Sequence, residues 1–128
     1  MSQILGSGID VVEIPRIRAA IERHGERFFR KVYTPEERAY CQSKKDCWAS
    51  FAARWAAKEA VYKAYGHGWR GIWWLNQIEV IREPSGKPGI RLLQNAAAAH
   101  AARNVSHVEL SMSHGREIAI AQALLIGN

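Results

Sequence analysis

At 128 residues the chain is long enough to bury one hydrophobic core and too short for two. Its 48% apolar and 23% charged residues are the balance of a folded globular protein, which excludes a disordered chain, and no stretch approaches the roughly 20 apolar residues of a membrane-spanning helix. Eighteen Lys and Arg against twelve Asp and Glu give a formal charge of +6, which favours an anionic partner: nucleic acid, a phosphorylated small molecule or an acidic protein.

The N-terminal MSQILGSGIDVV has no cationic start, and Gly6, Ser7 and Gly8 break its apolar run, so it does not read as a secretory leader and a cytoplasmic setting is expected. ILGSGIDVVEI, rich in β-branched residues, predicts a strand with a bend or bulge near Gly6 to Gly8, and Asp10 lies inside it. Pro15 suits the first turn of a helix running to Val32, whose Ile17, Ile21, Phe28 and Phe29 form an imperfect apolar stripe around Gly25. The other face of that helix carries Arg16, Arg23, Arg27, Arg30 and Lys31.

Thr34, Pro35 and Glu37 make a capping box that starts a second helix. Cys41 and Cys47 have no partner at zinc-ligand spacing and read as reduced thiols. The longest helix is expected from about Cys47 to Tyr65, with Gly66 taking the left-handed conformation after it. QIEVIRE and GIRLL flank a PSGKP turn, NAAAAHAARN reads as a short helix, and HVELSMSHG with EIAIAQALLI reads as two strands joined around Gly115. His24, His100 and His107 have no partner at a usable spacing and read as surface or satisfied core residues. With no internal repeat or linker, a single domain over 1–128 is expected, and the order β-α-α-α-β-β-α-β-β predicts an α+β fold: a long central helix against a mainly antiparallel sheet.

The long helix poses a chemical question. Projected at about 100° per residue, Trp48, Phe51, Trp55 and Tyr62 share one arc, and Glu59 falls between that arc and Ala52. A carboxylate on a face meant for burial needs a proton, a basic neighbour or a metal ion. Two readings stand. In the first, Lys63, one turn on, pairs with Glu59 at a partly exposed edge. In the second, Arg54 and Lys58 form a like-charge pair that an anion would relieve, and Asp10 and Glu59 hold magnesium through two carboxylates, leaving positions for water and phosphate.

The segments GIDVVEIPRI, RWAAKEAVYKAYGHG, SGKP and LSMSH give a wider pattern. The chain resembles, over nearly its whole length, the holo-acyl-carrier-protein synthases, the short 4′-phosphopantetheinyl transferases. The resemblance implies transfer of the phosphopantetheine arm of coenzyme A to a serine of an acyl carrier protein with release of 3′,5′-ADP, and a homotrimer with active sites at subunit interfaces. By position, it implies that Asp10 and Glu59 hold Mg2+ and that Lys63 faces the pyrophosphate. Arg54 and the loop Gly66, His67 and Gly68 would contact coenzyme A phosphates; Lys87, Pro88, Ser113 and His114 would approach the nucleotide from a neighbouring subunit. Arg16, Arg23 and Arg27 would face the acidic carrier protein. Ala53 and His67 depart from the Gly and Thr that many members carry, and Trp69, Trp73 and Trp74 are expected to cover the core or an interface.

A basic chain with five Trp and four Tyr also has the composition of a nucleic-acid binding module. The aromatics of the long helix fall on one core-like arc, and no RNP-type or helix-turn-helix signature is present, so no nucleic acid is expected. A relative that binds coenzyme A without transferring it is disfavoured by the intact Asp10, Glu59 and Lys63.

Overall fold

The computed structural model describes residues 2–66 and 75–128. Strand β1 (Gln3–Glu13) leads into α1 (Ile14–His24), α2 (Glu26–Val32), α3 (Pro35–Gln42) and the long α4 (Cys47–Tyr65). A single 3-10 turn, Leu75–Gln77, precedes the hairpin β2 (Ile78–Arg82) and β3 (Pro88–Leu92), then α5 (Gln94–Ala102) and the hairpin β4 (Val105–His114) and β5 (Ile118–Gly127). The fold is α+β, as the sequence predicts.

Two differences have physical causes. The helix expected from Pro15 to Val32 is two helices, because Gly25 sits at φ 54°, ψ −128°, a conformation open to glycine. The break redirects the chain so that Phe28 stacks on Trp55 at 5.8 Å and Phe29 meets Phe51 at 5.4 Å between ring centroids. It also places Arg27 on α2, away from Arg16 and Arg23 on α1. Second, the strands form two sheets: an antiparallel β1-β5-β4 sheet and a separate β2-β3 hairpin, turned through Gly86 at φ 89°. The irregularity expected in β1 is a register shift between Ile4 and Gly6.

The α4 helix packs on the three-stranded sheet through small residues. Ala56, Ala57, Ala60 and Ala64 are buried on the helix, and Ala119, Ala121 and Ala123 are buried on β5. On β1, Gly6 and Gly8 lie so close that a Cβ on them would fall 2.3 Å from the carbonyl oxygen of Ala64 and 1.9 Å from that of Ala60. The glycines that read as a flexible break in the sequence allow strand and helix backbones to meet.

The aromatic arc of α4 is less buried than expected: Phe51 is in the core, whereas Trp48, Trp55 and Tyr62 are half-buried. The basic residue that goes fully inside is Lys58, with no exposed surface. Its Nζ donates to Glu37 Oε1 at 2.7 Å and to the carbonyls of Ile78 at 2.5 Å and Leu75 at 3.2 Å, using all three protons. Glu37 also accepts from the backbone N–H groups of Thr34 and Val80, at 2.8 and 2.7 Å. Burial holds the Lys58 pKa below the ordinary lysine value against the opposing pull of Glu37.

Candidate active site at the junction of β1 and α4

Alternation along β1 turns Gly8, Asp10 and Val12 toward α4 and leaves Ile9 and Val11 on the outer face. Because Gly8 touches the backbone of Ala60 and Ala64, Asp10 lands beside the turn of α4 that carries Glu59 and Lys63. Lys63 Nζ donates to Asp10 Oδ1 at 2.9 Å and to the carbonyl of Ile9 at 3.1 Å. The Asp10 side chain is only 13% exposed, and its Oδ2 is buried without a hydrogen bond. A buried carboxylate oxygen left in that state is costly, and a cation would relieve it. Glu59, half-buried on the same face region of α4, supplies a second carboxylate one turn before Lys63. No cluster of three or more His, Cys, Asp or Glu suited to a metal occurs among the described residues, which leaves two carboxylates; that set suits a magnesium ion that keeps several waters.

A basic cleft of about 380 Å³ lies farther toward the N-terminal end of α4, lined in part by Lys44, Arg54, Arg82, Ser113 and His114. Arg54 is 5% exposed; one Nη donates to Ser50 Oγ at 3.2 Å, and its Nε is buried without a partner. The guanidinium lies 4.2 Å from the ring centre of Tyr40, which Arg82 and Lys44 also approach. The expected Arg54–Lys58 pair is therefore split: Lys58 is spent on Glu37, and of the two only Arg54 lines the cleft.

The predicted residues come together unevenly. Asp10 on β1 and Lys63 on α4 touch, and Glu59 lies one helical turn before Lys63. Arg54, Ser113 and His114 meet in the cleft of one chain, so the last two do not need a neighbouring subunit to reach Arg54. Gly66 ends α4 at φ 88°. His67 and Gly68, like Trp69, Trp73 and Trp74, lie outside the described residues. Lys87 is bound to Glu109 at 2.6 Å, and Pro88 begins β3 opposite Arg82. Arg16, Arg23 and Arg27 are exposed. Sequence reasoning missed Lys44, Arg82 and Tyr40 in the cleft; nothing in their spacing links them to Arg54.

The profile of the 4′-phosphopantetheinyl transferase superfamily matches residues 6–123. A holo-(acyl-carrier-protein) synthase of Koribacter versatilis is 46% identical over 122 residues, covering 95% of this chain and 98% of its own. The chain belongs to the holo-(acyl-carrier-protein) synthase family. Two solved synthases share its fold. That of Neisseria meningitidis superposes with a TM-score of 0.86 at 30% identity, over 96% of this chain and 98% of the other. That of Helicobacter pylori, determined with coenzyme A, superposes with a TM-score of 0.78 at 29% identity, over 93% and 98%. The family resemblance carried by GIDVVEIPRI and RWAAKEAVYKAYGHG thus extends to the whole synthase fold.

Proposed function

We propose that this synthase moves the 4′-phosphopantetheine arm of coenzyme A onto a serine of an apo acyl carrier protein and releases 3′,5′-ADP, with Mg2+ as the metal, the 128 residues acting as one cytoplasmic domain. The observation that carries the reading is the meeting of Asp10 with Lys63 beside Glu59, with one Asp10 oxygen buried and unpartnered. Asp10 and Glu59 would hold the ion, which supplies charge neutralisation at a pyrophosphate. Lys63, half exposed and with its amine already at the carboxylate, is placed to pair with the leaving phosphate oxygen. Glu59 takes the proton of the attacking serine, directly or through a water.

Arg54 holds coenzyme A phosphates in the basic cleft. Its buried guanidinium is pre-positioned over Tyr40, and nine residues along α4 separate it from Lys63, roughly 13 Å at about 1.5 Å per residue. That spacing suits an extended ligand with phosphate groups at two places. Gly66, His67 and Gly68 would complete the phosphate contacts, and Lys87, Pro88, Ser113 and His114 would flank the nucleotide. Arg16, Arg23 and Arg27, exposed on α1 and α2, offer an acidic carrier a steering surface.

The outer face of β1 and β5 supports a homotrimer. Ile9 and Val11 are each 55% exposed and Ile118 47%, on the face of the sheet opposite α4. A second and third copy covering those side chains would bury the face that the fold leaves bare.

Incubation with coenzyme A, Mg2+ and an apo carrier protein, followed by intact-mass measurement, tests the activity. The carrier is expected to gain the phosphopantetheine mass, and Glu59→Gln is expected to abolish the gain while leaving the circular dichroism spectrum unchanged. No mass gain with the unaltered protein would refute the transferase reading; full activity in Glu59→Gln would remove Glu59 from the chemistry.

A further inference from the structure

Strand β1 meets α4 most closely at a residue that bears no side chain. A Cβ built on Gly8 lies 1.9 Å from the Ala60 carbonyl oxygen, 2.9 Å from its carbon and 2.8 Å from the Ala64 nitrogen. All three atoms are backbone, so no change of rotamer relieves the overlap. An ordinary carbon–oxygen contact needs about 3.3 Å, so strand and helix would have to part locally by about 1.4 Å. Ala60 follows Glu59 in the chain, Ala64 follows Lys63, and Asp10 is the next residue after Gly8 on the helix-facing side of β1. A displacement at Gly8 therefore acts directly on the gap between Asp10 and both functional side chains of α4. The Lys63 contacts at 2.9 and 3.1 Å to Asp10 and Ile9 show how little slack that gap holds.

We propose that Gly8 is a positioning residue for metal binding: its missing side chain sets the strand-to-helix distance at which Asp10 and Glu59 reach one cation. This rests on the function proposed above, because it presumes that those two carboxylates share an ion. Magnesium holds its oxygen ligands at about 2.0–2.1 Å in near-octahedral geometry, so a site spanning two elements tolerates little separation. Losing a residue that orients metal ligands typically costs about 10–100-fold in metal affinity. Gly6, whose Cβ would lie 2.3 Å from the Ala64 oxygen, acts in the same way one pleat farther from Asp10.

The test measures Mn2+ binding by electron paramagnetic resonance, with Mn2+ as the spectroscopic substitute for magnesium, and separately measures coenzyme A binding with chelator present. Gly8→Ala is expected to weaken Mn2+ binding by about tenfold or more and to change metal-free coenzyme A binding less than about threefold. Asp10→Glu placed in the Gly8→Ala background extends the carboxylate by one methylene and is expected to recover part of the Mn2+ affinity, a rescue that a merely structural role for Gly8 would not produce. If Gly8→Ala does not fold, Gly6→Ala takes its place, with a loss of about threefold or more expected. Unchanged Mn2+ affinity in whichever folded variant is measured overturns the role of the glycines while leaving the proposed function standing. Failure of the unaltered protein to bind Mn2+ in an Asp10-dependent way overturns both.

Discussion

Lys58 and Lys63 lie five residues apart on α4, the first fully buried and the second half exposed, and a pair of substitutions can separate the structural duty of one from the proposed catalytic duty of the other. Lys58→Met keeps the unbranched apolar stem, one atom shorter, and removes three donated hydrogen bonds, leaving the buried Glu37 carboxyl without its cation. Breaking a fully buried ion pair from one side costs about 3–5 kcal/mol, a large part of the roughly 5–15 kcal/mol that holds an ordinary domain folded. For a chain of this size about 1 kcal/mol corresponds to roughly 3–5 °C in Tm, so a drop of about 10–25 °C is expected. Lys63→Met breaks an ion pair whose lysine is 48% exposed and whose Asp10 is 13% exposed, so solvent screens only one partner; about 1–2 kcal/mol is at stake, and Tm should fall by less than about 10 °C while transferase activity is lost. Thermal unfolding followed by circular dichroism at fixed protomer concentration reads the first quantity, because the Tm of an oligomer depends on that concentration. Mass measurement of the carrier protein below the lowered Tm reads the second. A Lys58→Met protein within about 3 °C of the unaltered one, or a Lys63→Met protein as destabilised as Lys58→Met, would refute the division of labour.

Two further outcomes are expected. The Tyr65 hydroxyl, whose pKa burial raises, is hydrogen-bonded to His100 Nδ1, and burial holds the His100 pKa below its usual value. The unfolded chain therefore binds the extra proton first: stability is retained above about pH 6.5 and falls as the pH drops toward the lowered folded value. The fall in Tm between pH 7.5 and 5.5 should shrink in His100→Phe; an identical fall would show that this contact does not contribute. On the outer sheet face, Ile9→Lys with Val11→Glu should convert the proposed trimer to monomers by light scattering, and persistence of a trimer would place its interface elsewhere.

Local signals in the sequence were readable where one residue type has one conformational use. Thr34 and Glu37 form the predicted capping box, with both reciprocal hydrogen bonds, and Gly66 ends α4 at positive φ. What was not readable depends on partners far along the chain. Glu37 looks like a capping residue and is one, yet its carboxylate also receives Lys58, on a different helix, and the Val80 N–H on a strand. Nothing in the spacing of Arg54 and Lys58 says that one would turn inward and the other toward a cleft.

The glycines show the same limit from the other side. In sequence, GSG reads as a bend, because conformational freedom is the property of glycine that is visible locally. Its other property, the absence of a Cβ, has meaning only against a neighbouring surface, here the backbone of Ala60 and Ala64. The alanines of α4 and β5 belong to the same arrangement: weak in apolar area individually, they let the helix lie close on the sheet. Close approach brings a strand carboxylate to a helix turn that carries an acid and a lysine. On the proposed reading the small residues bear on the chemistry as directly as the charged ones, since Asp10 has the carboxylate and Gly8 lets its strand approach the helix closely enough to use it.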